Sequence, residues 1–187
     1  TKHLKSYGVE PGLEGSYIQP FDITSGIKLG KGNSAQINGD SIFVEKDYIP
    51  LWFSSNGPVQ ASIVFAGYGF DINEKGLQWN DYDGLDVKGK WVMVMRHSPE
   101  RESTHSIFAK HSPLHKKATV ARDRGAIGII CISQIEDDGL FPLNYITGYS
   151  NTGSSALHFS NNRADKILRN VGWSREKIQK TMNRSLE

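Results

Sequence analysis

The side chains best able to do chemistry in this chain are its six histidines (His3, His97, His105, His111, His115 and His158), its single cysteine, Cys131, and an acidic run at Glu136, Asp137 and Asp138. A hydrolytic metal centre needs ligands at spacings that let them converge on one ion. No histidine is followed two residues later by aspartate, and no H-E-x-x-H occurs. His111 and His115 stand four apart, but Pro113 between them marks where a helix starts, so the two need not share a face. The remaining metal reading is a hydrolase that combines the histidines of 97–115 with the acids of 136–138. Against it, both groups read as solvated side chains of a helix start and a loop. The segment DINEKG puts Asp71, Asn73 and Gly76 at the first, third and sixth places of a calcium loop. Lys75 and Tyr82 then fall at the fifth and twelfth places, where ligands belong. Asp81, Asp83 and Asp86 nearby leave a non-standard calcium site open.

Nucleophilic catalysis needs an activated hydroxyl or thiol. There is no G-x-S-x-G, and Gly153-Ser154-Ser155 lacks the strand–turn–helix setting that exposes a serine. GKGNSAQ lacks the spacing and the Lys-Ser/Thr ending of a phosphate loop. Gly67-Tyr68-Gly69 follows a strand but leads into polar sequence, so it reads as a strand-end turn and not as a dinucleotide fingerprint. Cys131 lies inside GAIGIICIS, which predicts a buried, inert thiol. The one local basic cluster, Lys110, His111, His115, Lys116 and Lys117, reads as the wet side of a helix. A formal net charge of +2, from 22 basic and 20 acidic residues, argues against a protein that binds nucleic acid by neutralising phosphates. One stretch points to contact instead. The loop from Gly139 to Ser154 carries Phe141, Tyr145 and Tyr149 among small polar residues. Long loops are often functional and aromatics make good contact residues. The alternative is that these rings tuck back onto a sheet.

The elements that must position these groups follow from periodicity. Lys2 to Tyr7 reads as a helix tail ended by Gly8, and an upstream segment is expected to have been removed. SYIQPFDIT predicts an edge strand, because Pro20 cannot donate to a ladder. Residues 27–40 suggest a hairpin or loop, and SIFVEKD and YIPLWFS suggest strands. VQASIVFAGYGF is rich in β-branched and aromatic residues and predicts a strand, followed by a polar loop from Asp71 to Asp86. KWVMVMRH and AIGIICIS are apolar runs of the kind covered on both faces. Between them Leu114, Ala118 and Ala121 share one helix face. Strand, helix and strand in that order imply a parallel βαβ unit. SALHFS predicts a short strand, and two helices follow, the last from about Ser174. No run approaches the roughly 20 apolar residues of a membrane helix. The expected fold is one α/β, β-rich domain over 1–187, a β-layer with a small parallel sheet and flanking helices. Residues 1–15 and 174–187 read as linkers.

Several of these segments together resemble a known family. They are VFAGYGF, then NDYDGLDVKGKWVMVMRHSP, then the helix leading to GAIGIICIS. The shared features are a strand ending in Gly67-Tyr68-Gly69, an acidic link through Asp83, Gly84 and Gly89, a V-x-V-x-R strand, and the join Ala121, Gly125, Ala126, Gly128. In these features the chain resembles the protease-associated (PA) domain of secreted bacterial and archaeal aminopeptidases with a co-catalytic zinc pair. The resemblance implies a swivelling β/β/α fold and a secreted or periplasmic parent. It implies a peptidase domain in the same polypeptide that holds the zinc, and a non-catalytic role here in shaping substrate access or binding peptide or protein. A purely structural spacer is the other such role. The family's zinc ligands match no position in this chain, so no catalytic residue and no metal ligand carries over.

Overall fold

The computed structural model describes residues 2–12, 15–23, 25–101, 103, 105–143 and 151–183. In chain order its elements are α1 (Lys2–Ser6), β1 (Ala35–Ile37), β2 (Asp40–Ile42), β3 (Tyr48–Pro50), β4 (Ile63–Phe65), β5 (Asp71–Glu74), β6 (Leu77–Asn80), β7 (Trp91–Met95), α2 (Leu114–Asp123), β8 (Gly128–Ile132), β9 (Ser155–Phe159), α3 (Asn161–Asn170) and α4 (Arg175–Asn183). The fold is α/β and β-rich.

The two apolar runs form the centre. β7 and β8 pair in parallel, with Trp91 opposite Gly128 and Met95 opposite Ile132, and α2 crosses between them. β9 adds in parallel to β8, and β4 in parallel to β7. β3 closes the other edge antiparallel to β9, giving the order β3-β9-β8-β7-β4. Alternate side chains of this sheet enter separate cores. Val92, Val94, Ile129, Cys131 and Ala156 pack with Leu114, Ala118 and Ala121 of α2. Met93, Met95, Ile130, Ile132 and Phe159 pack with Tyr68, Phe70 and Phe108, with Ala164 and Leu168 of α3, and with Ile178 of α4. Each large apolar side chain so buried contributes about 1.5–3 kcal/mol relative to exposure, which is why near-continuous apolar runs sit in a two-sided sheet.

The Gly67-Tyr68-Gly69 turn after β4 is sterically specified. Gly67 has φ +48 and a Cβ there would overlap the Asp81 carboxylate; Gly69 has φ +73 and its Cβ would lie 2.7 Å from Val94 Cγ1. Asp81 holds the turn by accepting the Phe70 N–H at 2.9 Å and the Trp79 indole N–H at 2.8 Å.

Several expectations change. Residues 71–80 are not loop: β5 and β6 form an antiparallel hairpin turning at Lys75-Gly76. Gly76 supplies the positive φ, and Ile72 with Leu77 and Trp79 packs on the core, so the hairpin is amphipathic. A second hairpin, β1–β2, turns at Asn38-Gly39, both at positive φ, the chemistry that favours two-residue hairpins. SYIQPFDIT forms no strand in its described residues, where Ile18, Phe21 and Ile23 stay exposed. The helix expected from about Ser174 is present as α4, which buries Arg175, Ile178 and Gln179. α1, by contrast, buries nothing. No helix among the described residues is long and apolar enough to cross a membrane.

Candidate functional site

Parallel strands leave their carboxyl ends on one side of a sheet, and ligands of open α/β sheets lie outside those ends. Here the carboxyl ends of β7, β8 and β9 bring Arg96, His97, Ser133, Gln134 and His158 into one region. A cavity of about 300 Å³ opens beside them, lined by Trp52, Arg96, His97, Ser112, Pro113, Leu114, Phe141 and Pro142.

The largest departure from the sequence reading is Lys117. Read as a solvated lysine, it is 1% exposed. It lies three residues after Leu114 and one before Ala118, on the apolar stripe of α2. Its Nζ donates to the carbonyls of Met95 at 2.8 Å and His97 at 2.5 Å, and stands 4.7 Å from the centre of the Phe70 ring. Burial pulls its pKa down to about 7. Lys117 thus ties the segment leaving β7 to the helix. His97 and Arg101 within that segment adopt φ +59 and +58, a left-handed conformation that non-glycine residues rarely hold without support.

Around this anchor runs a polar network. Gln134 donates from Nε2 to the Ser98 carbonyl at 2.9 Å and to the Tyr68 hydroxyl at 3.1 Å, and accepts from Arg101. The Tyr68 hydroxyl donates to Asn183 Oδ1 at 2.8 Å, and burial raises its pKa to about 12. Arg101 pairs with Glu136 at 2.6 Å and Asp137 at 3.1 Å, and His97 Nε2 lies 3.2 Å from Asp137 Oδ2. Gln179 of α4 donates to Glu136, and Arg175 binds Asp165 and the carbonyls of Ser133 and Gln134. These bonds join α4 to the loop after β8.

Of the proposed histidine–acid combination, the structure brings together only His97 and Asp137. His111 pairs with Glu74 at 3.4 Å, on the β5–β6 hairpin. His105 and Asp138 are exposed, and Glu136 is taken by Arg101 and Gln179. The calcium candidates are likewise spread apart in their contacts. Asp71 pairs with Arg124, Asp81 turns inward to the Gly67 turn, and Asn73 and Asp83 are exposed. Among the described residues no three His, Cys, Asp or Glu side chains are grouped to hold a metal ion. Cys131 is fully buried and its thiol is pushed up to about 12 by burial, as its apolar surroundings predict.

One pair has the composition of a catalytic dyad: Ser133 Oγ lies 3.0 Å from His158 Nε2. The other ring nitrogen decides its chemistry. The Phe141 N–H donates to His158 Nδ1 at 3.1 Å, so Nδ1 carries the lone pair and Nε2 carries the proton. Nε2–H therefore donates to Ser133, the reverse of what a general base requires. Burial also draws the His158 pKa down to about 4, keeping the ring neutral. Ser112, on the cavity wall, donates its hydroxyl to the Phe108 carbonyl at 2.9 Å.

Of the aromatic loop residues, Tyr145 and Tyr149 lie outside the described residues. Phe141 tucks back: its ring centroid is 4.3 Å from that of His158, and the Arg96 guanidinium lies over the ring, 4.3 Å from its centre. It still forms a cavity wall. The segment after β7 also contributes to the core, because Phe108 is fully buried against Phe70 and Trp79. Of the turn glycines, Gly84 and Gly89 take positive φ, and the Gly89 N–H bonds the Gly125 carbonyl at 2.8 Å. A Cβ at Gly128 would overlap the Trp91 ring.

No protein-family model matches the chain, and no curated protein matches it. Among solved structures it is similar to the aminopeptidase from Aneurinibacillus sp. strain AM-1, at 22% identity and a TM-score of 0.46. That alignment covers 67% of this chain and 25% of the other, so this chain corresponds to a quarter of that protein's length, and the likeness assigns no activity.

Proposed function

We propose that the chain is a non-catalytic PA-type domain of a secreted or periplasmic zinc aminopeptidase, and that it meets peptide or protein at the carboxyl ends of its parallel strands. The observation that carries the reading is the cavity there, walled by Trp52, Phe141, Pro142 and Leu114 with Arg96 at its side. Such a lining suits contact with a peptide: flat rings and apolar surface for side chains, and a guanidinium for carbonyl or carboxylate groups. The neighbouring hydroxyls and imidazole are held in bonds that serve the fold, and the Ser133–His158 pair carries its proton on the wrong nitrogen for nucleophilic catalysis. The sequence features shared with PA domains support the same conclusion. On this reading zinc belongs to a peptidase domain of the same polypeptide.

The test has two arms. Incubated with aminoacyl p-nitroanilides and zinc, the chain should release no product; turnover at a peptidase-like rate would sink the proposal. Titrated with short peptides bearing apolar side chains, it should show a saturable shift of the Trp52 indole resonance, while the indoles of Trp79, Trp91 and Trp173 stay in place. Absence of any shift would favour a spacer that binds nothing.

A further inference from the structure

The carboxyl-end cavity owes one wall to a side chain that does not itself line it. His158 is fully buried in β9, opposite Cys131 of β8 and Ile49 of β3. Its Nδ1 accepts the Phe141 N–H at 3.1 Å, its Nε2 contacts Ser133 Oγ at 3.0 Å, and its ring packs on the Phe141 ring. Phe141 and Pro142 then line the cavity. The acceptor at Nδ1 exists only while the ring is neutral. A proton placed there would point at the Phe141 N–H, turning an attraction into a donor–donor clash.

We propose that His158 is an acid-sensitive latch: as the neutral Nε2–H tautomer it holds residues 139–143 against the sheet, and on protonation it releases them together with the cavity wall they form. The charges around the ring set the direction. Arg96, leaving β7 and lying over Phe141, opposes a second positive charge on His158, and Asp137, beyond β8, favours it. Cys131, across the strand, stays a neutral thiol, and Ile49 on β3 is apolar. Burial dominates these opposing charges and keeps the ring neutral at ordinary pH, with protonation arriving near pH 4. The latch is built from contacts within the chain, so it stands whether or not the cavity takes a peptide.

The experiment is amide exchange and imidazole ¹⁵N NMR on the chain between pH 7 and pH 4, alongside His158→Asn. At pH 7 the His158 nitrogens should show the Nε2–H tautomer. As the pH falls, Phe141 amide protection should drop at least tenfold at the midpoint of the His158 titration, while β7 and β8 amides stay protected. In His158→Asn, the side-chain Oδ1 can accept the same N–H without titrating, so Phe141 protection should not follow pH. The Nδ1–H tautomer at pH 7 overturns the proposal. So does loss of Phe141 protection together with the whole sheet, or the same acid loss in His158→Asn. If the variant does not fold, the wild-type comparison of the two midpoints decides the matter.

Discussion

The segments that leave β7 and β8 are tied to the sheet by opposite uses of a buried base. Residues 96–113 are held by a donor: Lys117 reaches two backbone carbonyls, and Phe108 pins the same segment into the core. Residues 139–143 are held by an acceptor, the Nδ1 lone pair of His158. Burial drives both side chains toward their neutral forms. The consequences differ because of valence. A neutral lysine still carries two N–H bonds and can keep both carbonyls, whereas a protonated imidazole has no lone pair left. One anchor therefore survives titration and the other is lost to acid.

Three substitutions would break or sharpen this contrast. The largest effect is expected from Phe108→Ala. It removes a fully buried ring stacked on Phe70 and edge-to-face with Trp79 and should cost about 3–5 kcal/mol in denaturant unfolding. A cost under about 1 kcal/mol would mean the segment is held by Lys117 alone. Next comes Lys117→Met, which fills similar space but leaves the Met95 and His97 carbonyls without their donor, at about 2–3 kcal/mol near pH 9. Its pH dependence is the sharper readout. With Lys117 at about 7 in the folded state and an ordinary value of 10.5 unfolded, the unfolded chain binds more protons between those limits. Wild-type stability should rise as pH goes from 7 toward 10, and the variant should lack that rise, so the gap between the two narrows as pH falls. A pH-independent gap would contradict the account of a buried, neutral amine. The smallest effect belongs to Arg101→Ala. Its partners are Glu136, which is half exposed, and Asp137, so the loss should be about 1 kcal/mol or less and should shrink in high salt.

The centre of the fold was legible because local pattern and tertiary role coincide there. The runs VMVM and IICI could be buried only in a sheet covered on both faces, and the spacing of Leu114, Ala118 and Ala121 gave the crossover helix. Lys117 was legible in principle: a lysine on the apolar stripe at i+3 from Leu114 signals a buried amine, but its neighbours Lys110 and Lys116 made it look solvated. The β5–β6 hairpin was obscured by polar residues on its outer face. Phe108 was obscured as a lone ring in a polar stretch, whose burial depends on Phe70 and Trp79 arriving from elsewhere in the chain. The role of His158 was not legible at all. It rests on a backbone N–H from a loop residue, and no side-chain pattern encodes that meeting.

The placement of β3 bears on how the chain folds. β7, α2 and β8 are consecutive, and their contacts close short loops. β3 instead finds its partner in β9, which follows all three in the chain, with Tyr48 opposite Phe159. Closing so long a loop costs entropy before any contact is gained, and such pairings slow folding. The βαβ centre can therefore organise first and the β3 edge zip on afterwards. During synthesis β3 emerges before β9 and must wait for it with that edge of its backbone unpaired.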